Sequence, residues 1–400
     1  MRVLFVIGTG TAGHHAAIAA PVARELIAGG AQVDVLSVAE LRGLPSPAAS
    51  FPNARTFALV PAGLRRRSRP AANETGSRRR RIVGKLAREA AWKLGLRARV
   101  EWLFLRLRPD VVVVLNDMAF PYDGICAVAR RRGTPVVLLQ EGVRFPLPAE
   151  EKANALYGSS DLTAICVWGE RSAAHFRTVA TAARVHVTGN PRYDSLDVER
   201  TRAEGQTLKA RLGLQGKLVG FLSNPIDDQG FCSVDEKMKL FEGFLASVAP
   251  DMEQRGGTVV VKLHPREDAA AFRAAAAGCR AKVLVAVDEP VLPLLSILDA
   301  GVVLTSTVGL EALLFDVPIG ALEIPRAGHV FDYVESGAAL PMHGDARAAG
   351  EVEELLNGFG DKSRALRAAY VEGHLAHRGH AAHHMAEAIR AVARADRGAR

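Results

Sequence analysis

Val302-Val303-Leu304-Thr305-Ser306-Thr307-Val308-Gly309-Leu310-Glu311-Ala312 reads as a buried strand, a turn of hydroxyls and the first turn of a helix. The apolar run before the turn has the composition of a strand covered on both faces, as strands of parallel sheets are. The same order opens the chain, where Val3–Ile7 runs into Gly8-Thr9-Gly10-Thr11-Ala12-Gly13 and then into His14-His15 at the head of a helical pattern. Around the first stretch lie apolar runs at Leu218–Leu222, Thr258–Leu263, Val283–Val285, Ala300–Leu304 and Ile319–Leu322. An earlier series runs through Val3–Ile7, Val33–Val38, Thr56–Val60, Val111–Leu115, Val136–Leu139, Ala164–Trp168 and Val185–Thr188. Helical patterns such as Ala16–Ala28, Ala127–Arg132, Lys237–Ala249 and Val291–Ile297 separate the runs. Strands alternating with helices imply right-handed βαβ units and open parallel sheets. Two series imply two Rossmann-like domains in an α/β fold.

Length agrees, because 400 residues are more than one compact core organises. Gly189-Asn190-Pro191 closes the first series and a charged helix, Val198–Leu212, precedes the second. The expected domains are therefore 1–195 and 196–370, followed by a helical tail over 371–400. Four scattered cysteines form no CxxC pair, which argues against a disulfide framework or a zinc site and suits a reducing compartment. The first apolar run is too short for a signal-peptide core, and no stretch approaches a membrane span. A cytoplasmic protein is the expectation.

The net charge of +8 is concentrated between Leu64 and Arg108, where 15 Lys and Arg face three acids. Such a patch suits an anionic membrane surface at the inner face, or a phosphorylated acceptor, better than nucleic acid. Within it, 61–81 is rich in Pro, Arg, Gly and Ser and reads as mobile. Trp102–Leu107 interleaves apolar residues with arginine as an interfacial helix does, although packing before the strand at Val111 is the stronger expectation for its apolar side chains.

Candidate site residues sit where strands end. Gly10 and Gly13 belong to a G-x-G-x-x-G turn whose N–H groups favour an anion. The acid that completes a dinucleotide site is poorly placed, since Asp34 lies inside its strand and Glu40 beyond it. His14 or His15 could take a proton from a hydroxyl. Asp117 follows the strand at Val111, and Glu141 follows the strand at Val136, with Arg144 close behind; a carboxylate such as Glu141 there can serve as base or hold a sugar hydroxyl. His264 and Pro265 terminate another strand. Ser306, Thr307 and the N–H groups near Gly309 can cradle phosphate, and Glu311 can accept from a ribose hydroxyl. His380 and His384 could chelate a metal, but no acid or cysteine completes the set.

Several of these motifs resemble those of GT-B-fold proteins: UDP-N-acetylglucosamine 2-epimerases, Kdo-type and capsule-type glycosyltransferases and CDP-glycerol-type transferases. Gly189-Asn190-Pro191-Arg192-Tyr193-Asp194 is similar to the end of their N-terminal domain. Gln140-Glu141-Gly142-Val143-Arg144 with Pro148-Ala149-Glu150-Glu151 is similar to elements of the 2-epimerases. The Gly8–His15 loop resembles the first loop of the N-acetylglucosaminyltransferase that makes lipid II. Lys262-Leu263-His264-Pro265 and the run from Ser306 to Pro318 resemble donor-site motifs, with Asp316 where glycine is usual.

The resemblance implies two Rossmann-like domains facing across a cleft, with C-terminal helices that can return to the N-terminal domain. It also implies a glycosyltransferase that uses a nucleotide-diphosphate sugar. His264 and Asn224 would join Ser306, Thr307, Gly309 and Glu311 in donor binding, with Gly10, Gly13, Asp117 and Arg144 lining the acceptor side. Glu141, His14 or His15 would be the base, and neither metal nor cofactor is expected. The acceptor could be a lipid, a glycan or a small metabolite. The 2-epimerases carry a His-Arg element where this chain has Ser223-Asn224-Pro225-Ile226-Asp227-Asp228, which counts against epimerisation. Epimerase-like or polyol-phosphate transfer chemistry remains the alternative within enzymes. A non-catalytic nucleotide-binding or membrane-surface protein is the alternative outside them.

Overall fold

A computed structural model describes residues 1–10, 13–60, 94–143, 157–179 and 182–399. The chain divides into two units. One runs from Met1 to Ser195 and takes in the chain from Leu375 onward; the other is Leu196–His374. Sequence reading had set the last segment apart from 371; it divides after His374.

In the first unit, β1 (Arg2–Ile7), β2 (Gln32–Ser37), β3 (Arg55–Ala58), β4 (Val111–Val114), β5 (Val136–Leu139), β6 (Ala164–Val167) and β7 (Arg184–Val187) form one sheet. Their spatial order is β3-β2-β1-β4-β5-β6-β7, and the paired strands are all parallel. Leu4, Val6, Val112, Val114, Leu138, Ile165 and Val167 pack into a core with Leu103, Phe104, Ile125 and Phe176. The alternate residues Val3, Phe5, Ile7, Val111 and Val113 are equally buried. Both faces of the sheet are therefore covered, which is why these strands read as unbroken apolar runs.

The second unit repeats the plan with β8 (Leu218–Leu222), β9 (Thr258–Lys262), β10 (Lys282–Ala286), β11 (Ala300–Val303), β12 (Ile319–Leu322) and β13 (Ala339–Met342). Their order is β10-β9-β8-β11-β12-β13, again parallel. Strand β13 was not foreseen: it is short, contains Pro341 and lies at an edge, where a missing N–H is tolerated. In each sheet the winding reverses beside the first strand, between β1 and β4 and between β8 and β11. Crevices at the carboxyl ends of strands at such points are where open α/β sheets bind ligands.

Candidate functional site

In the first unit the three candidate bases converge. His14 and His15 open the helix His14–Ala28, directly after the turn that follows β1, and Glu141 lies two residues past β5. The Nε2 of His14 bonds Glu141 Oε1, and His15 Nε2 lies 3.0 Å from Glu141 Oε2. Their orientation is fixed from beneath. The backbone N–H of Gly8 donates to His15 Nδ1 at 3.2 Å, and the Tyr122 hydroxyl is 3.4 Å from the same nitrogen. The Glu141 N–H donates to the Tyr157 hydroxyl at 2.8 Å, and that hydroxyl reaches the carbonyls of Leu115 and Leu139 at 3.2 and 3.3 Å. One phenol thus ties Glu141 to the ends of β4 and β5. Buried Gln140 adds a second brace, accepting from Trp168 N and donating to Ser172 Oγ and Gly142 O.

These contacts set the chemistry. Burial works to raise the pKa of Glu141, but the hydrogen bonds from His14 and His15 outweigh it and hold the carboxyl far below its ordinary range. An ionised carboxylate only accepts, so both Nε2 atoms donate to it. For His15 this agrees with the Gly8 contact, because a ring nitrogen that receives an N–H is the unprotonated one. His14 is more exposed, and its Nδ1 makes no hydrogen bond among the described residues. Among the described residues that nitrogen is left to receive a proton.

The three ligand-type atoms lie within 4.8 Å of one another, the one such metal-capable group among the described residues. The donor set suits a cation poorly. With Nδ1 of His15 receiving an N–H, a metal on Nε2 would require a ring with neither proton. No comparable group forms among the described C-terminal histidines; the rings of His377 and His384 lie against each other, tilted, with centres 3.9 Å apart.

The other first-unit candidates have structural partners. Asp117 is buried and accepts from the amides of Gly158 and Ser160, so it braces that loop. Asp34, buried in β2, pairs with Arg55 at 2.8 and 3.0 Å, which accounts for an acid too early for a dinucleotide site. Gly13 N donates to Gly10 O, closing the first turn. Arg144, like Pro148 to Glu151 and 61–81, lies outside the described residues.

In the second unit a buried carboxylate organises the strand ends. Glu267 accepts from the backbone N–H of His264 at 2.8 Å, from Ser223 Oγ at 2.7 Å and from Lys237 Nζ at 3.1 Å. Lys237 also donates to Asp227 at 2.6 Å. The loops after β8 and β9 are thereby joined to the helix Val234–Gln254. Across the switch point, the Asn224 amide donates to the carbonyl and hydroxyl oxygens of Thr305 and to Gln229. His264 Nδ1 accepts from Arg266 N at 3.2 Å, leaving Nε2 as its N–H end. Lys262 does not reach outward; it donates to Val287 O.

Ser306 Oγ accepts from Val308 N at the start of the short helix Val308–Leu313. Tyr333 lies against Gly309, where a Cβ would meet its ring at 2.8 Å. Its hydroxyl accepts from Leu310 N and donates to Ser306 O, locking the turn from Ser306 to Leu310. Glu311 is buried beside it. Asp316 takes a left-handed φ of 62°, the conformation that makes glycine usual there, and its carboxylate is held by Arg364 and Arg367. Thr307 flanks the same turn. The roles of Lys237, Glu267 and Tyr333 are not legible in the sequence, because nothing local marks them.

No protein-family model matches the chain, and no curated protein matches it by sequence. Solved structures do resemble it. A Neisseria meningitidis UDP-GlcNAc 2-epimerase bound to UDP-GlcNAc is 15% identical, with 97% of this chain and 99% of that one covered and a TM-score of 0.61. The Siraitia grosvenorii "ugt transferase" in complex with UDP is also 15% identical, covering 98% and 99% at 0.57. Anabaena HepE in complex with UDP and glucose is 16% identical, covering 98% and 100% at 0.56. The fold is of the GT-B class, with two Rossmann-like domains.

Proposed function

We propose that the protein is a glycosyltransferase that moves a sugar from a nucleoside-diphosphate donor to an acceptor hydroxyl without a metal. The observation that carries this reading is the His14–Glu141–His15 cluster at the β1/β4 switch point. Glu141 holds the Nε2–H of His14, so His14 Nδ1 takes the acceptor's proton as its oxygen attacks the anomeric carbon. The bond from that carbon to the diphosphate oxygen breaks, and the nucleoside diphosphate leaves. Donor recognition falls to the second unit, with His264 Nε2–H, Asn224 and the turn from Ser306 and Thr307 to Gly309 near the phosphates, and Glu311 near the ribose. The UDP-GlcNAc bound to one of the three similar structures and the UDP bound to the other two support a uridine donor.

A second reading is 2-epimerase-like chemistry on a sugar nucleotide, favoured by the 2-epimerase likeness over nearly the whole chain. Against it stands the loop after β8, where Asp227 is tied to Lys237 in place of a His-Arg element.

Thermal unfolding with UDP, dTDP, GDP, CDP and ADP tests donor binding. A ligand at a hundredfold excess over its Kd stabilises the native state by about 2.7 kcal/mol. His14→Ala should keep that stabilisation and lower donor turnover by about 10²–10⁴-fold. No shift with any nucleotide would sink the reading, whereas a 2-epimerised sugar formed without an acceptor would select the second one.

A further inference from the structure

The helix at 94–107 has two distinct faces. Leu96, Val100, Leu103, Phe104 and Leu107 are buried in the first unit's core. Leu94, Trp102 and Leu105 are 66%, 43% and 60% exposed, so within Trp102–Leu107 packing claims Leu103, Phe104 and Leu107 as expected but not Trp102 or Leu105. At about 100° per residue, these three and Ala98 share a strip about 80° wide. Arg99 and Arg106 run along one margin, their guanidinium carbons 4.8 and 5.3 Å from the Trp102 ring centre. Exposed Arg97 marks the other margin. The helix carries one acid, Glu101, which Arg131 and Arg132 already engage at 2.7 and 2.6 Å.

We propose that this face docks on an anionic lipid surface. Leu94, Trp102 and Leu105 enter the boundary between headgroups and acyl chains, and Arg97, Arg99 and Arg106 meet lipid phosphates. Charge complementarity selects this occupant. A second copy of the chain would set arginine margins against arginine margins, and a nucleic acid would use the arginines while leaving both leucines in water. The inference is independent of the transfer reaction.

The full chain is to be mixed with phosphatidylglycerol-containing and pure phosphatidylcholine vesicles, read by co-sedimentation and tryptophan emission. Binding is expected on the anionic vesicles, with a blue shift that Trp102→Phe diminishes. Leu94→Ser with Leu105→Ser should lower the partition coefficient about tenfold. Arg99→Ser with Arg106→Ser should lower it about thirtyfold. All these positions are partly or fully exposed, and an unchanged melting temperature confirms that each variant folds. Binding unaltered in both double variants overturns the proposal even if vesicles are bound through other basic residues. Equal binding to neutral vesicles overturns it, as does a leucine-dependent dimer or an RNA complex formed in its place.

Discussion

The Nζ of Lys237 lies 3.1 Å from Glu267 and 2.6 Å from Asp227, a cation joining two carboxylates beneath the loops that follow β8 and β9. Burial works against the charge on Lys237, but its partners outweigh that and raise its pKa; the Asp227 carboxyl is lowered against its own burial by Lys237. Removing one partner from such a pair leaves an uncompensated charge in the interior. Lys237→Met is therefore expected to destabilise the protein by about 3–5 kcal/mol in urea unfolding. Adding Glu267→Gln should recover part of that loss, because it removes the stranded charge. Two single effects that simply add in the double variant would contradict the coupling.

Glu141 makes a prediction about pH. Its folded pKa is depressed by His14 and His15 in spite of burial. A depressed carboxyl stabilises the fold above its unfolded value of about 4.3, and that contribution is lost as pH falls toward the folded value. Glu141→Gln should be less stable than the parent protein near neutrality, and the gap should close progressively below about pH 4. Urea midpoints at pH 7 and pH 3 measure it. A gap of constant size would mean that the carboxylate's charge is not what stabilises the cluster.

The strands were legible because burial on both faces writes them as apolar runs: Val136–Leu139, Leu218–Leu222 and Ile319–Leu322 lie within the bounds read from the sequence. The site was legible only in part. His14, His15 and Glu141 each stood out as polar groups at strand or helix ends, yet read as competitors, since 127 residues separate His14 from Glu141. Only the sheet order, which sets β1 beside β4 and β4 beside β5, makes them one cluster. Nothing in the sequence singles out Lys237 or Tyr333. Their roles depend on partners 30 and 27 residues away, for which a single sequence holds no local signal.

Asp194 closes the motif Gly189-Asn190-Pro191-Arg192-Tyr193-Asp194, and the structure gives that motif a mechanical reason. Its carboxylate accepts from the amides of Ala381 at 2.9 Å and Ala382 at 2.7 Å, at the start of the helix Ala381–Ala399. Gly189 has a φ of 87°, and a Cβ there would meet Ala376 O at 2.3 Å, so glycine lets the returning chain pass close by. The middle of the helix is fastened by Arg390, which donates to Glu25 O at 2.7 Å on the helix His14–Ala28 that begins with both site histidines. Asp194→Ala should therefore lower the first unit's stability by about 1–2 kcal/mol, the usual value of an N-cap. Hydrogen exchange locates the effect: amides of 381–399 should exchange faster, while those of β8 in the other unit keep their protection. A fall in melting temperature with 381–399 still fully protected would show that Asp194 stabilises something other than the start of this helix.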